Sequence, residues 1–237
     1  MLEVPIDIGT GPPVVVFHGF AMRPATYRAL ADELAPRCRV LIPDLFAVRG
    51  RWGYDRILRA LTAALDQRGL ERVTMVGHSF GGAIQLGFAS SFPERTVELV
   101  FSDTLAVSRE WRLADESLRH PLRLLRLATP KAASAFVRSW VEHPLQLADA
   151  AWWAFTEARD RIVHTVGDAG LPAHVLWANR DSVLSRSDGE AFAGALGASF
   201  TVAYGSGHTP IDHDWMFQQP ALFVDYLERL GLHALYS

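Results

Sequence analysis

Short, fully apolar runs alternate along the chain with longer segments in which apolar residues return every three or four positions. The short runs have the length of buried strands, and the longer segments have the period of helices. Such alternation is typical of a parallel sheet covered by helices. It therefore predicts an α/β protein with a mostly parallel, twisted sheet and helices on both faces. The predicted strands are 14–17, 39–42, 73–76, 97–101, 174–177 and 199–204, and the predicted helices are 24–34, 54–67, 83–90, 189–196 and 220–230.

The alternation stops between residues 105 and 170. This stretch has helix-like patterns only, interrupted at Pro121, Pro130 and Pro144. No flexible linker or repeat separates it from the rest of the chain. We therefore predict a main domain formed by residues 1–104 and 171–237, with residues 105–170 inserted as a helical cap over the sheet.

Composition narrows the class of partner. The 237 residues are 49% hydrophobic and 21% charged, with a formal net charge of -3. This charge is too small to attract nucleic acid or an anionic membrane. The single cysteine, Cys38, excludes an intrachain disulfide, and no apolar run approaches the ~20 residues of a membrane span. The N-terminus has no signal-peptide pattern. We expect a cytoplasmic protein whose partner is a small apolar molecule; its oligomeric state stays open.

One short motif carries the candidate chemistry. Gly77-His78-Ser79-Phe80-Gly81 directly follows the predicted strand 73–76 and precedes a predicted helix. A sharp strand-to-helix turn exposes a serine hydroxyl beside the N–H groups and the positive dipole end of the helix. The alternative is a phosphate-binding turn, but no Gly-X-Gly-X-X-Gly or Lys-Ser/Thr loop accompanies it. The context therefore favours Ser79 as a nucleophile.

Further motifs occur around this turn in a fixed order along the chain. Together they resemble the α/β-hydrolase fold family, in its serine esterase and lipase-like form with a helical cap, over nearly the whole sequence. The matching segments are His18-Gly19-Phe20, Pro43-Asp44, Gly77 to Gly82, Trp177-Ala178-Asn179-Arg180-Asp181, and Gly205-Ser206-Gly207-His208.

The resemblance implies roles for residues away from the turn. The backbone N–H groups of Phe20 and Phe80 would form an oxyanion hole, which stabilises the negative oxygen of a tetrahedral intermediate. Asp181 lies where the family carries its catalytic acid, and Asp103 lies at an alternative location known in related enzymes. Ser182 departs from the family, which often has proline there.

Two histidines are candidates for the general base. His208 has the family's spacing from the last strand, whereas His213 has the family's spacing to the final helix, which begins near Pro220. A loop that leaves a strand can lengthen freely, while the base must pack against the final helix and still reach Ser79. This reasoning favours His213, and His208 stays open as the alternative.

The predicted cap is rich in tryptophan, and this indicates the kind of pocket it covers. A cap over the carboxyl edge of the sheet must line the site beneath it, so we expect an apolar substrate pocket. The alternative is that these rings only fasten the cap to the main domain. No His-Glu-X-X-His motif or Cys/His cluster is present, so no metal or cofactor is predicted. The predicted pocket residues are His18, Trp111, Trp140, Trp152 and Trp153.

The sequence thus predicts a serine hydrolase that acts on a small apolar ester, thioester or lactone through an acyl-enzyme on Ser79. The same triad also serves carbon–carbon bond hydrolysis, acyl transfer, lyase and perhydrolase chemistry, and fold resemblance does not separate these reactions. A rival of another class is a ligand-binding receptor with a slow or silent triad.

Overall fold

The centre of the protein is a seven-stranded sheet with strand order β1-β3-β2-β4-β5-β6-β7. A computed structural model describes residues 2–105, 130–156 and 160–236. Neighbouring strands are parallel except for β1, which is antiparallel to β3. The predicted fold class is confirmed. The strands are β1 (Ile6–Ile8), β2 (Pro13–Phe17), β3 (Arg39–Ile42), β4 (Val73–His78), β5 (Thr96–Ser102), β6 (Ala173–Ala178) and β7 (Ser199–Ala203).

Helices cover both faces of this sheet. In chain order the described ones are α1 (Arg28–Leu34), α2 (Tyr54–Asp66), α3 (Phe80–Ser91), α4 (Pro130–Glu142), α5 (Pro144–Thr156), α6 (Asp160–Asp168), α7 (Arg186–Leu196), α8 (Trp215–Gln218) and α9 (Pro220–Leu230). Four short 3₁₀ segments lie at Pro24–Tyr27, Pro93–Arg95, Ser206–His208 and His233–Leu235.

The two faces of the sheet bury separate cores because successive strand residues point to opposite sides. Along β2, Val14 and Val16 pack with α1, α8 and α9, whereas Val15 and Phe17 pack with α2, α3, α6 and α7. All four side chains are 0% exposed. The strands are therefore apolar on both sides, as the uninterrupted runs in the sequence predict.

Two elements differ from the predicted pattern. Strand β1 was not predicted, because three residues are too few to show an alternation; its Asp7 carboxylate is held by Arg39 and Arg68. Helix α3 begins at Phe80 and not at residue 83. The glycines that open it weaken the helical pattern but still adopt helical backbone angles.

The described part of the predicted cap contains α4, α5 and α6. Helix α6 contacts α3 and α7 of the main domain. Helix α5 is fastened to the loop after β3, since Asp149 accepts hydrogen bonds from the Arg51 side chain and from the Trp52 N–H. Residues 106–129 lie outside the described residues, and the predicted boundaries at 104/105 and 170/171 stay a prediction. None of the described helices is both long and apolar enough to span a membrane.

Candidate active site

Ser79 sits in a strained turn between β4 and α3. Its backbone angles are φ 51 and ψ -118, a region that non-glycine residues seldom adopt and that marks functional sites. The turn is tight because Gly77 and Gly82 almost touch: a Cβ on Gly77 would lie 2.7 Å from the Gly82 Cα. The motif glycines are thus required for the turn that presents the Ser79 side chain at the carboxyl edge of the sheet.

The end of strand β2 packs tightly against the start of α3. A Cβ on Gly81 would lie 2.3 Å from the Phe17 carbonyl oxygen, so only glycine allows this contact. The contact brings the loop after β2 to the nucleophile turn, where a Cβ on Gly19 would be 3.6 Å from the Ser79 Cβ. The two motifs that contain Gly19 and Ser79 are therefore adjacent in space.

Two backbone N–H groups at this junction have no hydrogen-bond acceptor among the described residues. The Phe80 N–H opens α3, and the first N–H groups of a helix have no partner within it. Within the described residues, neither the Phe80 N–H nor the Phe20 N–H donates a hydrogen bond. Both residues flank Ser79, so they are suited to bind a negative oxygen that forms on a carbonyl attacked by Ser79.

His213 and Asp181 form a buried hydrogen-bonded pair at the same edge. Asp181 follows β6 and His213 lies between β7 and α8; His213 Nδ1 is 3.0 Å from Asp181 Oδ2. The other carboxylate oxygen accepts the N–H groups of Val183 and Leu184 at 2.7 and 2.8 Å. Because a carboxylate accepts, His213 Nδ1 carries the proton, and its Nε2 is the atom left to act as a base.

The pair sets its own protonation equilibria. Burial disfavours the charged form of Asp181, but His213 and the two N–H donors outweigh it and hold the pKa of this carboxyl below its usual value. Burial also lowers the pKa of His213, yet the Asp181 carboxylate outweighs burial and raises that pKa to about 9. The pair is thus built to stabilise an imidazolium.

The loop of the acid and the loop of the base are joined by further hydrogen bonds. The N–H and the hydroxyl of Ser182 donate to the Asp212 carboxylate at 2.8 and 2.7 Å, and Asp212 also accepts the His213 N–H. Proline has neither an N–H nor a hydroxyl, so the family's common residue could make neither of the Ser182 bonds. The departure at Ser182 ties Asp181 and His213 together through their chain neighbours.

His208, the other candidate base, lies apart from this pair. It ends the 3₁₀ segment Ser206–His208, has φ 62, and is exposed with its ring 5.5 Å from the Tyr204 ring. The structure therefore brings His213, and not His208, to Asp181.

Asp103, the alternative acid, has a different environment. It is 0% exposed, and its oxygens accept from the Ala178 N–H at 2.7 Å, the Trp215 Nε1–H at 2.7 Å and the Ser102 hydroxyl at 2.9 Å. Burial and the nearby Asp181 raise the pKa of Asp103 well above its usual value. Its three donors fasten β5 to β6 and to α8, beneath the pair.

The Ser79 hydroxyl makes no hydrogen bond to another described residue. Hydrogen bonds between a nucleophile and its base are often long until substrate binds, so the absence of this bond is compatible with a nucleophilic role for Ser79.

Two side-chain groups bring possible metal ligand atoms within 4.8 Å of one another, His78 with His213 and Asp214, and Asp103 with Asp181 and His213. His213 belongs to both groups and already uses its Nδ1 to bind Asp181.

An aromatic cluster lies beside the nucleophile turn. Phe80 contacts Phe20 at 5.7 Å between ring centroids and Trp153 at 5.9 Å, and Phe20 contacts Trp140 of α4 at 6.4 Å. Two predicted pocket residues, Trp140 and Trp153, therefore join the rings of the candidate oxyanion residues. The aromatic cluster comprises Phe20, Phe46, Trp52, Phe80, Trp140 and Trp153.

The other predicted pocket residues are placed differently. Trp152 is 74% exposed and points to solvent. His18 is fully buried, and its two ring nitrogens bond the Gly19 carbonyl and the Leu45 N–H, so it holds the loop. Trp111 lies outside the described residues.

Sequence reasoning missed some residues of this region. Phe46 and Trp52 enter the aromatic cluster from the loop after β3, and Tyr27 lies beneath the site against His78. A sequence signal exists for Phe46, because a large apolar residue a few positions after a strand lies at the carboxyl edge of the sheet, where Ser79 also lies. Trp52 is ten residues beyond the strand and has no such signal. Nothing in the local pattern distinguishes Tyr27 from an ordinary core residue.

Comparison with known proteins shows the family to which the chain is similar. A family profile described as "Alpha/beta hydrolase family" matches residues 14–226. An uncharacterized protein of Mycobacterium tuberculosis is 28% identical in a gapped alignment of 265 positions, which covers 93% of this chain and 75% of that protein. A 2-hydroxy-6-oxo-2,4-heptadienoate hydrolase of Pseudomonas putida is 38% identical in a gapped alignment of 114 positions, which covers 44% of this chain and 41% of that enzyme.

Among solved structures, a thermophilic esterase from Thermogutta terrifontis superposes with a TM-score of 0.78 at 20% identity. The superposition covers 99% of this chain and 94% of the esterase. At this identity the likeness concerns the fold alone.

Proposed function

The chain is an enzyme of the alpha/beta hydrolase family, and from that premise we propose that it is a serine hydrolase that cleaves small apolar carboxylic esters, thioesters or lactones. The observation that carries the proposal is the 3.0 Å hydrogen bond between His213 Nδ1 and Asp181 Oδ2, at the sheet edge where Ser79 sits in its strained turn. This combination supplies a nucleophile, a base and a group that orients the base.

The first half of the reaction forms an acyl-enzyme. Ser79 Oγ attacks the carbonyl carbon, and its proton passes to His213 Nε2. Asp181 holds His213 in the tautomer that leaves Nε2 free, and its charge stabilises the imidazolium. The N–H groups of Phe20 and Phe80 bind the oxyanion. The bond from the carbonyl carbon to the leaving group then breaks, C–O in an ester or lactone and C–S in a thioester, and the leaving oxygen or sulfur takes the proton from His213.

The second half regenerates the enzyme. Water attacks the acyl carbon of the Ser79 ester and gives a proton to His213 Nε2. The tetrahedral intermediate collapses, the bond to Ser79 Oγ breaks, and Oγ takes the proton back. The products are a carboxylic acid and an alcohol or thiol.

The preference for apolar substrates follows from the aromatic cluster. Phe80 and Phe20 carry the proposed oxyanion donors on their backbones and add their rings to those of Trp140 and Trp153. A carbonyl bound by these donors would have aromatic side chains beside it. Moving an apolar acyl or alkyl group from water into such surroundings is favourable, whereas moving a charged group there is costly.

Carbon–carbon bond hydrolysis is the second candidate. The Pseudomonas putida relative is named for a substrate that contains a ketone and a carboxylate but no ester. A hydrolase that acts on such a molecule must break a carbon–carbon bond. The same triad would attack the ketone, and a carbanion would leave in place of an alkoxide.

The test is turnover of p-nitrophenyl esters from acetate to decanoate by the wild type and by Ser79→Ala. A 2-hydroxy-6-oxo-dienoate, followed by loss of its conjugated absorbance, is the parallel substrate. We expect ester turnover that depends on Ser79. Turnover of the dienoate alone favours the second candidate, and labelling of Ser79 by a fluorophosphonate without turnover of either favours a binding role.

A further inference from the structure

Two fully buried polar rings lie directly behind the nucleophile, and the proposed reaction uses neither. His78 is 1% exposed and precedes Ser79, while Tyr27 is 0% exposed and ends the 3₁₀ segment Pro24–Tyr27. Burying such groups is costly unless they are hydrogen-bonded. Their partners therefore show what these side chains do.

The partners form one continuous series of hydrogen bonds. The Gly19 N–H donates to Tyr27 Oη at 3.0 Å, and Tyr27 Oη is 2.7 Å from His78 Nδ1. At the other end, His78 Nε2 is 3.0 Å from the carbonyl oxygen of His213. A carbonyl can only accept, so His78 Nε2 carries the proton. In the neutral ring Nδ1 then accepts, and the Tyr27 hydroxyl donates to it.

The protonation state of His78 agrees with this direction. Burial, together with the nearby His213, lowers the pKa of His78 to about 3. The ring is therefore neutral at physiological pH, as a bond from the Tyr27 hydroxyl to Nδ1 requires. His78 cannot serve as a second base in this state, because Nε2 is occupied by its proton and Nδ1 by Tyr27.

The two ends of the series lie at two other parts of the proposed site. Gly19 directly precedes Phe20, whose N–H is a proposed oxyanion donor. The His213 carbonyl belongs to the residue whose ring is the proposed base, and the His78 and His213 rings are 4.9 Å apart. Between them, His78 is attached to the nucleophile by a peptide bond. One hydrogen-bonded bridge thus connects the donor, the nucleophile and the base.

We propose that Tyr27 and His78 are positioning residues, which fix the spacing between the Phe20 N–H and His213 around Ser79. This inference rests on the proposed function, because it assigns the bridge a role in the reaction of Ser79. The loops that carry Gly19 and His213 come from different ends of the chain, and the bridge joins them through side chains. Misplacement of a catalytic group by about 1 Å costs on the order of 100-fold in rate.

The test compares two tyrosines that each lose one buried hydroxyl. Tyr27→Phe breaks the bridge. Tyr226→Phe is the matched control, because the Tyr226 hydroxyl bonds the backbone of Tyr204 at 2.8 Å and lies outside the proposed site. The readouts are the second-order rate of fluorophosphonate labelling of Ser79, kcat and KM on an ester, and the midpoint of thermal unfolding.

We expect Tyr27→Phe to slow labelling and kcat by about 10- to 100-fold, with KM within about twofold. Both variants should lower the unfolding midpoint by similar amounts, because each loses one buried hydroxyl. Tyr226→Phe should leave the rate of Ser79 labelling unchanged. His78→Asn should reproduce the kinetic loss of Tyr27→Phe. The variant that combines Tyr27→Phe with His78→Asn should be no slower than the slower single variant, since the two changes break the same bridge.

Several results would overturn the inference. One is a Tyr27→Phe variant that is labelled at the wild-type rate. Another is a Tyr226→Phe variant whose labelling slows as much as that of Tyr27→Phe. A third is a combination of Tyr27→Phe and His78→Asn in which the two rate losses multiply. If a variant does not fold, ¹⁵N NMR of wild-type histidines decides: the Nε2–H tautomer of His78 supports the bridge and the Nδ1–H tautomer refutes it. If wild-type Ser79 is not labelled at all, the proposed function fails, and the bridge's catalytic role falls with it.

Discussion

The two edges of the sheet each carry an acid, a histidine and a serine. At the carboxyl edge these are Asp181, His213 and Ser79. At the amino edge, Glu98 of β5, His174 of β6 and Ser199 of β7 form a second series: His174 Nδ1 is 2.8 Å from Ser199 Oγ, and His174 Nε2 is 3.1 Å from Glu98 Oε1. By residue type and hydrogen bonding alone, the amino edge resembles a catalytic triad more completely.

The backbone around the two serines differs. Ser79 has φ 51 and directly precedes the first turn of α3, whose N–H groups point toward it. Ser199 begins a strand and follows the C-terminal end of α7, which closes at Gly197 with a left-handed residue. Helix α3 therefore presents its positive end to Ser79, and α7 presents its negative end near Ser199. Only the first setting stabilises a developing oxyanion.

The histidines differ as well. The His213 side chain is 8% exposed and sits beside a carboxylate that is 1% exposed, whereas the His174 side chain is 20% exposed and bonds an exposed serine. The Glu98 carboxylate also accepts the His233 N–H, so it fastens the end of the chain to the sheet. A serine–histidine–acid series is therefore a candidate active site only where a strained turn presents the serine at the N-terminal end of a helix.

The largest expected effect on activity is that of replacing Ser79. Ser79→Ala should lower kcat on p-nitrophenyl esters by about 10⁶-fold, because it removes the nucleophile and leaves only binding and the oxyanion donors. Fluorophosphonate labelling should be lost with it. Steady-state assay and intact-protein mass spectrometry measure both. Residual activity near the wild-type level would contradict the assignment of the nucleophile.

The histidines give the next contrast. His213→Ala should lower kcat by about 10⁵-fold or more, since no other group would take the Ser79 proton. His208→Ala, at the surface, is the matched control and should stay within about twofold of the wild type. A severe loss in His208→Ala with a mild one in His213→Ala would reverse the assignment of the base.

Asp181 should set how the activity depends on pH. Only neutral His213 accepts a proton, and Asp181 raises the pKa of His213 to about 9, so wild-type kcat/KM should rise with pH toward a plateau above about 9. Asp181→Asn should lower kcat by about 10⁴-fold. It should also move the midpoint of the rise to lower pH, because burial then lowers the pKa of His213 without an opposing carboxylate.

The pH–rate profiles of the wild type and of Asp181→Asn, on one ester, measure both effects. An unchanged midpoint in the variant would show that Asp181 does not set the charge of His213. Asp103→Asn provides a second profile at the buried alternative acid. A smaller shift is expected there, because the described hydrogen bonds of Asp103 go to Ala178, Trp215 and Ser102 and not to His213.

The amino edge gives the smallest effect. Ser199→Ala should leave kcat and KM within about twofold of the wild type and lower stability by about 1 kcal/mol or less, as for one partly exposed hydrogen bond. Ester turnover and chemical denaturation measure these quantities. A loss of activity comparable to that of Ser79→Ala would break the distinction between the two edges.

The sequence predicts the carboxyl edge well, for identifiable reasons. Strong apolar runs located β2, β4 and β5, and the motif glycines located the turn, because its close contacts exclude any other residue. The carboxyl ends of parallel strands meet at one edge of the sheet, so the sequence alone predicts that Ser79 and Asp181 lie at the same edge. Their catalytic roles stay a prediction.

Other features depend on contacts between distant segments, and these the sequence does not show. His213 and His208 are separated in space by the path of a loop, which local spacing leaves undetermined. Trp152 and Trp153 are adjacent in sequence, yet one points to solvent and the other stacks on Tyr54 at 4.2 Å. The bond from Tyr27 to His78 joins residues whose local patterns are those of ordinary core positions.

The pairing of β5 with β6 has a consequence for how the protein can change. Ser102 and Leu176 are partners in the sheet, although residues 103–175 separate them along the chain. The entropy cost of closing a flexible connection grows only logarithmically, and doubling its length costs about 0.6 kcal/mol. Segments of very different length and shape can therefore replace this connection during evolution while the sheet stays intact. The nucleophile turn, by contrast, has no room even for a Cβ atom at Gly77 or Gly81.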